Sequence, residues 1–540
     1  MPEASDLQIL ITDIPQRISG GNLSTVIRKD HWRVMDYELE KIGRCRGVAL
    51  NHWKAGRLTI RLGVSGHHRI HLVSRYCTIR LKLTSDRCFS ECPAVLTGEE
   101  KEGWYHAQEI YWRDADLTGQ DLVLDEAPME LLAIRLIRSE PTVEQHQVRW
   151  PMVVSHDDGL MFRGLHDSPD DLFERCESTP RDSCVRAVLW MGGFADTALH
   201  FTQVGTEFGS TNPVGWEDRV EVAVQNMARY RNWGVNPVDR IVQYVHDRGW
   251  ELYFYVRHRG WGDVHPISGA WDSRFNLEHP EYRNVSRHGE PVLGQSIAFA
   301  EVREHLCRYY AELAGFGPEG VSPCFVRGCP VVMYEQPMVE GFRKEHAEDP
   351  RELAEDDPRW LDYCAKVVSD FMRELKQAVG PACRLSPMVH GTRQLNYRFG
   401  LDVQTWVQEG LVHDLFIMCH QYDPACDHSQ AGPEFLEYDW FQNMPGRESV
   451  RLWPMTYIWE LFEKEPEVQC AALQSCLDQG ADGYGFWDAM ADPIDSVANA
   501  WDLGKTPRVK YEKLERLIFR PRLIKYNGYL WDRYTPIEGW

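Results

Sequence analysis

The stretch from Gly320 to Pro337 reads GVSPCFVRGCPVVMYEQP. Residues 321–326 make a short apolar run with the pattern of a buried strand. The run breaks at Arg327-Gly328 into a loop, and the loop carries Tyr334-Glu335-Gln336. A carboxylate just past the C-terminal end of a buried strand stands where a (β/α)8 barrel keeps its chemistry. The plainer reading of the same residue is a surface glutamate in a loop.

Outward from this stretch the chain repeats one unit, an apolar run followed by a loop and a helical pattern. Strands are predicted at 152–155, 187–191, 252–256, 321–326, 385–389, 415–419, 451–455 and 484–487. Helices are predicted at 216–233, 237–248, 302–314, 358–379 and 468–479. The fourth opens on the Asp356-Asp357-Pro358 start signal and puts Leu361, Val367, Val368, Phe371, Met372 and Leu375 on one side. Eight strands alternating with helices over 150–505 predict an α/β fold of the (β/α)8 TIM barrel type, carrying the catalysis. An open doubly wound sheet would want a glycine-rich nucleotide turn, and neither GxGxxG nor a Walker loop occurs.

Residues 1–149 follow another rule. RLTIRLGV (57–64), HRIHLVSR (68–75), TIRLKLTS (78–85), YHAQEIYW (105–112), QDLVLDE (120–126) and ELLAIRLIR (130–138) alternate with a period of two, which predicts an all-β sandwich ahead of the barrel. Beyond the barrel, 506–540 are expected to form a helix at 511–518 and an aromatic-rich tail that packs on the barrel or on a neighbouring subunit.

Composition narrows the class. The 540 residues carry a net charge of -22 with no basic block, which argues against nucleic acid or an anionic membrane as partner. Fifteen Cys are scattered without CxxC spacing, so reduced buried thiols are expected rather than a disulfide framework or structural zinc. The opening MPEASDLQILITDIPQ lacks a basic n-region and an apolar h-region, and a cytoplasmic location is expected. Twenty Trp and 22 Tyr suit stacking on sugars as well as an ordinary core.

In a barrel the residues that end each strand share one rim. Here these are His156-Asp157-Asp158, then Trp190 with Asp196 and His200 further on, and Arg257-His258-Arg259 before a loop holding Trp261, His265 and Trp271. They continue with Arg327 and the loop to Tyr334-Glu335, His390, His420 with Asp423, Trp459-Glu460, and Trp487-Asp488. Carboxylates, imidazoles and indoles without a phosphate cradle or thiolate ligands fit a carbohydrate substrate. Glycosidic hydrolysis needs two carboxyl groups, about 5–5.5 Å apart for retention and about 6.5–9.5 Å for inversion. Glu335 is the acid candidate, with Glu460, Asp488, Asp157 or Asp158 as its partner. Glu460 equally suits the first turn of a following helix. His156, Asp157, Asp158, His258, His390, His420 and Asp423 could gather a divalent ion, but HxH and HExxH spacings are absent, so no metal and no cofactor is expected.

Two sets of motifs carry a family resemblance. Gly66-His67-His68-Arg69-Ile70, Ile79-Arg80-Leu81-Lys82-Leu83 and 111–119 (YWRDADLTG) resemble jelly-roll modules that precede glycosidase-like barrels. Phe325-Val326-Arg327-Gly328, Tyr334-Glu335-Gln336-Pro337, 348–353 (EDPREL), 356–361 (DDPRWL), 371–375 (FMREL), 400–413 and 480–488 resemble the glycosidase-like, family-10-like barrel proteins of planctomycete-type bacteria. That resemblance spans nearly the whole chain and implies a TIM barrel placed among glycoside hydrolases. It leaves substrate, stereochemistry and catalytic pair open. The basic Arg257-His258-Arg259 exit departs from it and points to an acidic or sulfated sugar, or to ion pairing with cleft acids. The alternatives are a non-catalytic carbohydrate-binding barrel and a metal-dependent hydrolase or lyase; a homo-oligomer is possible under each.

Overall fold

A computed structural model describes residues 8–26, 28, 30–50, 55–74, 79–86, 89–92, 105–126, 129–139, 151–156, 161, 164–173, 176, 185–211, 218–258, 270–326, 330–421, 430–431, 436–457, 475–487 and 522–526. The chain divides into two compact units. One comprises Met1–Arg149, Phe173–Ser183 and Met490–Trp540, and the other Trp150–Leu172 and Cys184–Ala489.

The second unit is a closed parallel barrel. Its strands are β1 Met152–His156, β2 Val185–Phe194, β3 Glu251–Arg257, β4 Gly320–Cys324, β5 Met388–His390, β6 Asp414–Met418, β7 Arg451–Tyr457 and β8 Tyr484–Trp487. Each pairs with the next, and β8 pairs with β1 through Val153 and Gly485, so no edge remains. Helices Asp218–Trp233, Pro237–Asp247, Ala300–Gly315 and Pro358–Val379 stand where the sequence predicts them. The last opens with the Asp357 carboxylate accepting from Arg359 N. It buries Leu361, Val368, Phe371, Met372 and Leu375, while Val367 lies at the edge of the stripe. The predicted helices at 468–479 and 511–518 lie largely or wholly outside the described residues. The predicted strand 385–389 is broken into Arg384–Leu385 and Met388–His390, because Pro387 has no N–H to give the ladder.

The lumen is filled from alternate positions. Val153, Ala187, Leu189, Met191, Tyr253, Tyr255, Cys324, Met388, Phe416, Met418, Trp453, Met455 and Trp487 make one cluster. Its N-terminal end is sealed by first residues of strands. Glu251 accepts from Arg451 at 2.8 Å and from Arg384 at 3.0 Å, and Arg451 Nε reaches Asp414 at 2.6 Å.

The first unit is all-β. A five-stranded sheet (Ile18–Gly20, Leu58–Arg61, Asp121–Leu124, Ile79–Leu83, Ser90–Cys92) shares one core with a larger sheet through Leu58, Ile60, Leu81 and Leu122 against Ile70, Leu72, Ile134 and Leu136. The larger sheet closes on itself: Met129–Arg138 bonds both Gly43–Leu50 and His67–Ser74. The tail, expected to pack on the barrel or a neighbour, supplies a stave to this ring. Its strand Arg522–Tyr526 pairs with Tyr105–Asp116 on one side and Trp32–Leu39 on the other. The opposite face of the ring feeds a second core of Met35, Tyr37, Leu39, Ala49, Val73 and Leu132.

Cys45, Cys176, Cys307, Cys324, Cys364, Cys383, Cys419 and Cys476 are free thiols, and burial pushes the Cys45 and Cys383 thiols up to about 11. Among the described residues no helix is long and apolar enough to cross a membrane.

Candidate active site

The C-terminal mouth of the lumen is built on the β2 and β3 exits. Tyr253 and Tyr255 point into the lumen, so Arg257, two residues on, shares their face. Its guanidinium lies 5.5 Å over the Trp487 ring and 4.9 Å over Phe194. Phe194 reaches this face through a register shift between Met191 and Gly193, where the strand slips against Tyr255 and Val256. Such a bulge re-aims the residue that follows it. Gly193 is required there, since a Cβ would meet the Tyr309 hydroxyl at 2.7 Å. Trp271 packs at a tilt against Phe194, at 4.5 Å and 38°, and edge-on against Phe208, at 4.5 Å and 70°. The Tyr255 hydroxyl donates to His156 O at 3.1 Å and ties the β3 exit to β1.

Several residues expected on the rim stand elsewhere. Ser155 pairs with lumen-facing Leu189, which turns His156 and Trp190 to the outer side of the wall. There the two rings stack at 4.5 Å, and Trp190 with Phe254 faces Pro237, Val238 and Ile241 around a cavity of about 20 Å³. His258 also faces outward. Its ring lies 5.0 Å from Phe325, its Nε2 is 2.8 Å from the Tyr310 hydroxyl, and burial lowers its pKa to about 3. His200 is likewise buried, with its pKa down to about 4. His390 has no exposed surface and packs on Phe399 at 4.4 Å. Asp157, Asp158, Arg327, Asp423, Trp459, Glu460, Asp488 and the side chain of His420 lie outside the described residues.

Glu335 does not open onto the mouth. It has no exposed surface. Its Oε1 accepts from Asn284 Nδ2 at 2.7 Å and from Val285 N at 3.1 Å, and its Oε2 accepts from Met333 N at 2.8 Å. Burial raises its pKa, and the N–H donors pull the other way. A carboxyl in such a cage clamps the β4 exit loop to the strand Arg283–Val285. Donating a proton to a substrate would require it to leave that cage. Tyr334, beside it, stacks on Trp360 at 5.0 Å and anchors the same loop. The mouth thus joins Arg257, Trp271 and Trp487 from the expected rim and adds Phe194 and Tyr255. Among the described residues no three His, Cys, Asp or Glu side chains gather around a point that could hold a metal ion.

No family model matches the chain, and no curated protein matches it. Solved structures align with it at low similarity. The β-amylase catalytic domain of Paenibacillus polymyxa aligns at TM-score 0.40 and 8% identity, over 68% of this chain and 97% of that one. An α-galactosidase from Thermus thermophilus aligns at 0.36 and 12%, over 89% and 95%. A morphinone reductase aligns at 0.32 and 11%, over 62% and 82%. Hydrolases and a reductase stand together here, so similarity of this depth says nothing about the reaction. What the chain's own hydrogen bonding establishes is a closed eight-stranded parallel barrel accompanied by an all-β unit.

Proposed function

We propose that this protein is a glycoside hydrolase acting on an oligo- or polysaccharide at the C-terminal mouth of its barrel. The observation that carries the reading is the floor of that mouth, where the Arg257 guanidinium lies over the Trp487 and Phe194 rings with Trp271 alongside. Trp487 has no exposed surface and backs the guanidinium from below, whereas the half-buried Phe194 and Trp271 rings can take the C–H faces of a pyranose and the guanidinium fork vicinal hydroxyls or a sugar carboxylate. Asp488 follows Trp487 directly in the chain, and Asp157 and Asp158 follow His156 on the neighbouring strand. Asp488 is assigned the role of catalytic carboxylate, with Glu460, Asp157 and Asp158 as candidates for its partner. Glu335 is assigned to holding the loop.

Sugar release from aryl glycosides and from neutral, uronic and sulfated glycans tests this in the wild type, Asp488→Asn and Glu335→Gln. Release by the wild type is expected to fall about a hundredfold or more in Asp488→Asn and less than about tenfold in Glu335→Gln. Sugars that bind without any release would replace the enzyme with a carbohydrate-binding barrel. Release abolished by chelation would replace carboxylate catalysis with a metal-dependent reaction.

A further inference from the structure

We propose that the buried Asp196–His305 pair is a positioning device for the barrel mouth, fixing the Phe194–Thr197 turn and through it the shelf of Phe194, Arg257 and Trp271. Asp196 is 1% exposed, and its Oδ2 lies 2.8 Å from His305 Nε2. His305 comes from the helix Ala300–Gly315 and stacks on Phe275 at 4.2 Å. The pair therefore links the β2 exit to the helix layer.

The turn it holds is unusual. Phe194 pairs with Thr197, and between them Ala195 has φ 47°, a left-handed conformation that an L side chain adopts only when its surroundings impose it. Ala195 N donates to Arg257 O at 2.8 Å. The Thr197 hydroxyl donates to Trp271 O at 3.1 Å. On the other side the Tyr309 hydroxyl donates to Gly192 O at 2.6 Å. Both residues that flank Phe194 on the shelf are thus bonded to this one turn. The Asp196 backbone carbonyl accepts from Thr206 N at 2.8 Å, which braces the turn further.

Stability alone is a poor reason for the pair. Asp196 Oδ1 has no partner among the described residues, and burying an unmet acceptor is costly. An apolar pair of similar volume would pack as well. What it could not supply is a directional bond that selects one geometry of the turn. The link to substrate rests on the glycosidase reading, whereas the link from His305 to Trp271 does not.

The full chain labelled with 5-fluorotryptophan reads that second link without turnover. Trp271→Phe identifies one fluorine resonance among those of the 20 Trp. His305→Phe keeps the ring on Phe275 and removes the bond to Asp196, whereas His305→Gln retains an N–H for the carboxylate. The Trp271 resonance is expected to move in His305→Phe and return toward wild type in His305→Gln. On a substrate the wild type cleaves, His305→Phe is expected to lower kcat/KM roughly ten- to a hundredfold, mostly through KM. A folded His305→Phe protein with the wild-type Trp271 resonance overturns the proposal. A moved resonance with unchanged KM overturns the link to substrate. No cleavage by any form, wild type included, sinks the glycosidase reading, and the resonance alone then decides the His305 link. If His305→Phe does not fold, Asp196→Asn takes its place. It must move the resonance the same way by a smaller amount, and an unmoved resonance overturns the proposal.

Discussion

The two ends of the barrel use arginine in opposite ways. At the N-terminal end Arg451 is locked between Asp414, at 2.6 Å, and Glu251, at 2.8 Å, and its N–H groups also reach the Tyr253 hydroxyl at 2.7 Å. Asp414 has no exposed surface and also accepts from Ser386 at 2.9 Å, Trp453 Nε1 at 3.1 Å and Tyr253 at 3.1 Å. At the C-terminal end the Arg257 guanidinium lies over two rings, 4.9 Å from Phe194 and 5.5 Å from Trp487. A guanidinium gripped by two carboxylates serves the fold. On the proposed function, one set over aromatic faces serves ligand binding, the division of labour expected of such a barrel.

The largest effect should come from breaking the sealed end. Asp414→Asn leaves Arg451 short of a buried anion and is expected to cost about 3–5 kcal/mol in chemical denaturation. At a temperature where the variant is folded, KM should stay at the wild-type value. A loss below about 1 kcal/mol would mean that the network is dispensable.

The carboxyls of the two halves should also titrate in opposite senses. Burial pushes Glu251 up, but hydrogen bonds and charge from Arg451 and Arg384 prevail and hold it below the ordinary carboxylate range. Its contribution is therefore present above the unfolded value of about 4.3 and is lost as pH falls through the folded one. Glu335 is held above that range by burial, so the folded chain binds its proton more tightly than the unfolded chain does. Its contribution makes stability rise as pH falls from above the raised value toward about 4.3. Glu335→Gln should abolish that rise and cost about 1–3 kcal/mol at neutral pH through unmet N–H donors. Denaturation midpoints from about pH 2 to about pH 8 check both signs, and parallel curves for wild type and Glu335→Gln above about pH 4.3 would contradict the cage.

The smallest effect on stability is expected at the mouth. Arg257→Gln removes ring contacts worth about 0.5–1 kcal/mol each, yet should weaken sugar binding about tenfold, measured by calorimetry. Equal losses of stability and affinity would erase the contrast between the two ends.

Much of the barrel was legible because strand and helix alternate with regular periods, and because Asp357-Pro358 announces a helix start. The faces were less legible. Ala187, Leu189 and Met191 take the inside of β2, which sends Trp190 outward, and that alternation was already in the sequence. Phe194 escaped because the Gly192-Gly193 bulge resets the count, and no period signals a bulge. Glu335 carried its own warning. It stands before Gln336-Pro337, at the N-cap of the helix Gln336–His346, where an acidic residue reads as a helix start before it reads as an acid catalyst. The carboxylates after β7 and β8 can be named from the sequence only by their place in it.

The stave formed by Arg522–Tyr526 has a consequence in time. Its neighbours Trp32–Leu39 and Tyr105–Asp116 leave the ribosome early, and the strand that joins them follows roughly 400 residues later. At about 5–20 residues per second that is a wait of roughly 20–80 s, with two strand edges still unpaired. The barrel's chain is made in the interval. The first unit to be synthesised is thus the last that can be completed, its two strand edges open until Arg522–Tyr526 arrives.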